Sequence, residues 1–294
     1  MFRSIAQDVK SSFDYGNMVV KLIIINVVVF MLTALLNAFL PSFYQSNILP
    51  YLALPGDLMT LLYRPWTLIT HMFLHSGFWH LAWNMLTFYW FGTIAGDLLG
   101  DRKILPVYIL GGLIGGFAYI LSFALLPNIG SFALGASAAV LAIVFTAVAT
   151  APDYNVQLIL LGNVRIKFIG LFILFFDIIG INATVNSGGH IAHLGGTLFG
   201  FLFVYLLRSG TDLSVYFNNF IEILSFKRKK QPVKRGNLKV AHRSELIEKK
   251  SSHARTRPNN ISSRVDEILD KIKQKGYDSL TDEEKEILYQ ASKT

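Results

Sequence analysis

The chain has no cysteine and little charge: 16% of its 294 residues are Asp, Glu, Lys or Arg. The first absence excludes a disulfide framework, a thiolate metal site and a cysteine nucleophile. The second excludes an ordinary soluble domain, which runs about 25% charged. The deficit is uneven. No charged residue lies between Lys21 and Asp57, between Arg64 and Asp97, between Lys103 and Asp153, or between Asp177 and Arg208. Each run exceeds the roughly 20 apolar residues that take a helix across a bilayer. A chain that is 52% hydrophobic is not a disordered one either.

What is present divides the chain in two. Residues 1–208 carry 9 Lys+Arg and 7 Asp+Glu; the rest carries 18 and 12, so most of the net charge of +8 belongs to the C-terminal part. The expected fold is all-α, a polytopic membrane bundle with a small soluble helical tail. Six spans are expected, at about Asn17 to Leu40, Phe78 to Gly96, Leu105 to Leu126, Gly135 to Thr150, Ile166 to Ile181 and His190 to Leu207. Pro41, Pro50, Pro55 and Gly56 mark the first connection as a loop with short turns. Residues 1–208 form the membrane core, 209–258 an interfacial helix and polybasic linker, and 259–294 a small cytoplasmic helical hairpin.

Loop charge sets the orientation. Arg3 and Lys10, Arg102 and Lys103, Arg165 and Lys167, and Arg208 with Lys227 to Lys230 fall on one side; the opposite loops hold only Arg64. The expectation is a multi-pass protein of the cell (inner or plasma) membrane with both termini cytoplasmic.

Polar side chains inside a membrane are expensive, which makes them the first functional candidates. They are few: His80 and Asn84 on span two, Ser137 on span four, Asp177 on span five, His190 and His193 on span six. Spans two, four and six run in the same direction, so His80, Asn84, Ser137, His190 and His193 share one depth. A serine hydroxyl becomes a nucleophile when a base within hydrogen-bond reach takes its proton. Ser137 near a helix start also has free backbone N–H groups around it, which can stabilise an oxyanion. His80 and Asn84 share a helix face and can donate to the same oxygen. Gly196 and Gly200 allow span six to approach span four closely. His71 and His75 precede span two, but no H-E-x-x-H accompanies them, and they read as residues lining the approach rather than a metal site.

Three segments together resemble the rhomboid intramembrane serine proteases: R-P-W-T-L-I-T-H-M-F-L-H-S-G-F-W-H-L-A-W-N-M, then G-A-S-A, then A-H-L-G-G-T-L-F-G. The resemblance covers about Arg64 to Gly200. It implies a six-helix rhomboid-like core and a Ser–His dyad with no required Asp. It assigns Ser137 as nucleophile, His193 as general base, and His80 with Asn84 as the oxyanion-stabilising pair. The family's H-x-x-G-x-x-x-G frame is met by His193, Gly196 and Gly200, which favours His193 over His190; His190 is then a water-facing residue at the cavity rim. The implied activity is endoproteolysis of transmembrane protein substrates near the outer face, with no cofactor and no metal. A non-proteolytic binding or quality-control protein would be expected to lack Ser137 or His193. A histidine-lined proton or metal transporter would be expected to show an inverted repeat.

The tail starts with a stripe, Val215, Phe217, Phe220, Ile221 and Leu224, that suits an interfacial helix. From Lys227 to Arg257 there are 12 Lys+Arg against 2 Asp+Glu, a segment suited to anionic lipid headgroups. It lacks interleaved aromatics, so no nucleic-acid partner is expected. Further on, Val265, Ile268, Leu269 and Ile272 repeat at helical spacing after Ser263 as candidate N-cap, and Gly276 ends that helix. Thr281 and Glu284 form a capping box before Ile287 and Leu288.

Overall fold

The computed structural model describes residues 7, 10–14, 16–126, 129–158, 162–181, 186–224 and 261–291. The chain separates into two compact units, Met1–Lys230 and Gln231–Thr294. The architecture is all-α. The first unit contains α1 (Met18–Phe39), α2 (Phe78–Leu99), α3 (Ile104–Leu125), α4 (Ser137–Thr150), α5 (Ile166–Gly180), α6 (Ser187–Arg208) and the short α7 (Leu213–Leu224). Among the described residues, three stretches are long and apolar enough to cross a membrane: Met18–Phe39, Asp101–Leu125 and Ser187–Arg208. α2 has the length, but His80, Asn84 and Asp97 lower its hydropathy. α4 and α5, with 14 and 15 residues, are short for a span.

α4 is the centre of the bundle. Every residue from Ala138 to Val148 is buried, the pattern of a helix apolar on all sides. At 1.5 Å per residue it rises about 21 Å, less than the roughly 30 Å hydrocarbon core. Small residues let its neighbours close on it. A Cβ on Gly111 or Gly115 of α3 would fall 2.2 or 2.4 Å from the Cβ of Ala142 or Ala138. A Cβ on Gly196 or Gly200 of α6 would fall 2.1 or 2.5 Å from the carbonyl oxygen of Ala138 or Ala142. α3 and α6 therefore grip the α4 backbone directly. Packing of this kind replaces the hydrophobic drive that a lipid solvent does not supply. α2 turns the stripe Leu81, Asn84, Met85, Phe88, Phe91, Gly92 and Ala95 inward, while Trp79, Trp83 and Trp90 stay exposed.

α1 starts where the Asn17 side chain accepts from the Val20 N–H at 3.0 Å. Asp101, ahead of α3, accepts from the Met18 N–H at 2.7 Å and joins the two starts. Inside the bundle, Asn26 donates to the Tyr108 hydroxyl at 3.2 Å, and that hydroxyl donates to the Met72 carbonyl at 3.2 Å.

The first connection is a series of helical turns tied by side chains. Arg64 donates to the Pro50 carbonyl at 2.8 Å and lies over the Tyr51 ring at 3.9 Å. Trp66 donates to the Tyr51 carbonyl at 2.8 Å, and Thr70 to Leu52 at 2.7 Å. Strand β1 (Leu54–Pro55) pairs antiparallel with β2 (Phe132–Ala133), Leu54 opposite Ala133, linking this connection to the segment that leads into α4. Between α4 and α5, β3 (Asn155–Leu158) and β4 (Gly162–Arg165) form a hairpin where a plain connection was expected.

After α6, Lys103 donates to Asp212 and holds the start of α7 beside the start of α3. Burial pushes the Asp212 carboxyl upward, but the bonds from Lys103 and Ser214 and the Lys103 charge outweigh it and hold the group below the usual carboxylate range. The polybasic stretch Lys227 to Arg257 lies outside the described residues.

The second unit is a hairpin of α8 (Ile261–Lys275) and α9 (Asp282–Ala291). α8 begins at Ile261, so Ser263 is inside the helix rather than its N-cap. Gly276 ends α8 at φ +79°, a value that favours glycine. The capping box is present: the Thr281 N–H donates to Glu284 at 2.8 Å, and the Glu284 N–H to Thr281 Oγ1 at 3.4 Å. Lys271 donates to the same carboxylate at 2.7 Å, tying α8 to α9. That contact and the Thr281 N–H hold the Glu284 carboxyl below its usual range.

Candidate active site

Ser137 is the first residue of α4. Its hydroxyl lies 2.6 Å from His193 Nε2 on α6. Gly196 and Gly200, one and two turns beyond His193, permit this approach through their contact with the α4 backbone. His190, three residues earlier, does not reach Ser137. Its Nδ1 is 2.9 Å from the Asp177 carboxylate, and its ring fills the space where a Cβ on Gly180 would lie, 2.4 Å from Nε2. His190 therefore packs from α6 against α5, with 25% of its side chain still exposed. The spacing of the two histidines left the choice open; the distance to Ser137 separates them.

His193 has a second partner. Its Nδ1 lies 2.7 Å from the same Asp177 Oδ1. Asp177 is buried, with 6% of its surface exposed, in an otherwise apolar stretch of α5. The ligand atoms of Asp177, His190 and His193 lie within 4.8 Å of one another, so among the described residues these three side chains are the set that could hold a metal ion. Nothing in the sequence spacing announces this trio, because Asp177 meets the histidines only when α5 packs on α6.

His80 faces Ser137 from α2. The Ser76 backbone N–H donates to His80 Nδ1 at 3.4 Å, with the Ser76 hydroxyl 3.0 Å from the same atom. With Nδ1 accepting, the neutral ring carries its hydrogen on Nε2 and presents a donor. Gly135 makes room for that ring: a Cβ there would meet His80 Cε1 at 2.9 Å and Nε2 at 3.0 Å, and lie 3.5 Å from Ser137 Oγ. Asn84 donates one amide hydrogen to the His80 carbonyl at 2.8 Å and keeps the other free for the cavity. Ser76 is absent from the expected site residues, and its only signal was its place one helical turn before His80.

These groups share one cavity of about 540 Å³, lined by Ser76, His80, Asn84, Ser137 and His193 among others. His71 also lines it, buried and donating from Nδ1 to the Thr67 carbonyl at 2.8 Å. His75 instead packs edge-on against His80, ring centroids 5.1 Å apart. Asn186, at the unusual φ of +63° for a non-glycine residue, forms part of the wall where α6 begins.

Residues 63–210, half of the chain, match the Rhomboid domain. The chain belongs to the rhomboid family. Among similar rhomboids, RHOMBOID-like protein 12, mitochondrial, of Arabidopsis thaliana is 31% identical over 143 residues, covering 44% of this chain and 43% of that protein. The Presenilin-associated rhomboid-like protein, mitochondrial, of Rattus norvegicus is 27% identical over 171 residues, 56% of this chain and 43% of the relative. Rhomboid protein 1, mitochondrial, of Saccharomyces cerevisiae is 27% identical over 201 residues, 67% and 55% respectively. The chain thus spans about half the length of the curated relatives it matches. Residues 256–294 match a family of unknown function (DUF6576).

These relatives carry mitochondrial names, and that overturns the expectation of a cell plasma membrane. The physical reason for the error is plain: loop charge orients a chain across a bilayer but carries no information about which bilayer it is.

Proposed function

We propose that this rhomboid is a serine endopeptidase acting on peptide bonds of membrane-spanning segments. The observation that carries the reading is the 2.6 Å contact between Ser137 Oγ and His193 Nε2 at a cavity that also holds His80 and Asn84. Ser137 Oγ attacks the scissile carbonyl carbon. Its proton passes to His193 Nε2, and the carbonyl π electrons move onto oxygen. His80 Nε2–H, the free Asn84 N–H and the Ser137 backbone N–H stabilise that oxyanion. As the C–N bond breaks, His193 returns its proton to the leaving amine. Water then attacks the acyl carbon as His193 takes its proton; the C–Oγ bond breaks, releasing the new carboxyl terminus, and His193 returns the proton to Ser137 Oγ.

The substrate class follows from where the nucleophile sits. α4 is too short to span, so an end of it lies within the bilayer thickness, and the Ser137 end opens into the cavity. The substrate is then a transmembrane segment near its outer end. A helical substrate hides its carbonyls in internal hydrogen bonds, so cleavage favours segments with small or helix-breaking residues.

The test uses the full chain purified in detergent. Wild type is expected to react with a fluorophosphonate probe and to cleave a transmembrane reporter. Ser137→Ala and His193→Ala lose both, while His190→Ala still labels. A wild-type protein that neither labels nor cleaves removes the protease reading.

A further inference from the structure

The family resemblance implies a serine and a histidine acting as a pair. The geometry points to a third member in this chain: we infer that Asp177 is a positioning residue that holds His193 in the tautomer the reaction needs. The inference rests on the reading of Ser137 as nucleophile and His193 as base.

To accept from Ser137, His193 Nε2 must present a lone pair, so the neutral ring must carry its hydrogen on Nδ1. That nitrogen is 2.7 Å from Asp177 Oδ1. An ionised carboxylate only accepts, so it selects the Nδ1–H form and disfavours the Nε2–H form, which cannot serve as the base. The same contact fixes the ring plane and stabilises the imidazolium formed when Nε2 takes the serine proton. Asp177 itself takes no proton at any step.

Burial sharpens the point. Asp177 is buried while Phe175, Phe176, Ile178 and Ile179 beside it on α5 are exposed, and a buried carboxylate is an expensive residue for a membrane helix. An apolar side chain would pack α5 against α6 at lower cost. The carboxylate is also aimed rather than loose. His190 donates to the same oxygen at 2.9 Å, and its ring is seated against Gly180. Asp177 Oδ1 is thereby pinned between two rings one turn apart on α6.

Two other roles fit the same contacts, and both make different predictions. As a helix–helix latch, Asp177 would affect stability without selecting a tautomer. As part of a metal site with His190 and His193, the ion would occupy Nδ1 and leave the hydrogen on Nε2, the opposite tautomer.

The experiment is ¹⁵N-histidine NMR of the full chain in detergent with chelator present, alongside kinetics on a transmembrane reporter. His193→Ala identifies the resonances. In wild type, His193 is expected as a single Nδ1–H tautomer with a strongly downfield proton; in Asp177→Asn that signature is lost. Asp177→Asn lowers kcat by about 100-fold or more with KM within about twofold, in line with the loss when the orienting carboxylate of a Ser–His–Asp site is neutralised. A wild-type His193 protonated at Nε2, or an Asp177→Asn kcat within about threefold of wild type, overturns the inference. The wild-type spectrum decides the tautomer even where the variant does not fold. If wild type shows no Ser137-dependent labelling, the protease reading falls separately. The dependence of the His193 tautomer on Asp177 then still supports or sinks the positioning role.

Discussion

Gly135 sits two residues before the nucleophile at φ +133°, with the His80 ring against its bare Cα. A methyl group there would strain the backbone and displace the ring that faces Ser137. Gly135→Ala is expected to lower kcat by about 10- to 100-fold with thermal unfolding in detergent little changed, because the displacement falls on the reacting geometry rather than the core. Equal losses of stability and activity would argue against this. At this scale much of the site is legible in the sequence. His80 and Asn84 are four apart on one face, and Ser137 lies at a helix start. His193 heads a frame of small residues whose use is to meet α4. What stays hidden is pairing across helices. Asp177 has no local pattern that points to His193, and the support of His80 by Ser76 depends on a turn before α2 that spacing alone does not specify.

Elements are legible where the lipid imposes them. The charge-poor runs become α1 to α6 with ends moved by a few residues, since about 20 apolar residues have few other solutions in a membrane. The exceptions arise outside that constraint. β1 and β2 form because distant loops meet, and the β3–β4 hairpin interrupts a stretch that reads as featureless. The start of α8 precedes its expected cap, a two-residue shift common at helix ends. The small residues of α6 carry a sharper expectation. Gly196→Val would drive side-chain atoms into the Ala138 backbone, where a single Cβ already lies 2.1 Å from the carbonyl oxygen. It is expected to destabilise the membrane unit by about 1–3 kcal/mol or more, read as a lower unfolding temperature in detergent, with loss of Ser137 labelling. An unchanged unfolding temperature would mean that α6 does not grip α4 as closely as this.

At the scale of the whole molecule, every residue lining the site cavity lies between Leu54 and His193, within the unit Met1–Lys230. A chain ending at Lys230 is expected to keep fluorophosphonate labelling of Ser137 within about twofold, on the additivity expected of separate folding units. Labelling lost on truncation would make the C-terminal unit part of the catalytic apparatus. The charge distribution divides the chain after Arg208, whereas the compact units divide after Lys230, because α7 packs with the first unit. The identity of the bilayer is not visible in the charge, because the physics that places lysine and arginine on one side is common to many membranes.

The carboxylate on α5 also bears on how the protein is made. The ribosome delivers α5 before α6, so Asp177 reaches the membrane ahead of both histidines that bond to it. A charged side chain opposes insertion by up to about 2.5–3.5 kcal/mol at a helix centre, and by less where Asp177 stands, three residues from the end of α5. α5 is thus a reluctant solitary passenger. It is expected to settle in the lipid only together with α6, whose histidines give the carboxylate its partners.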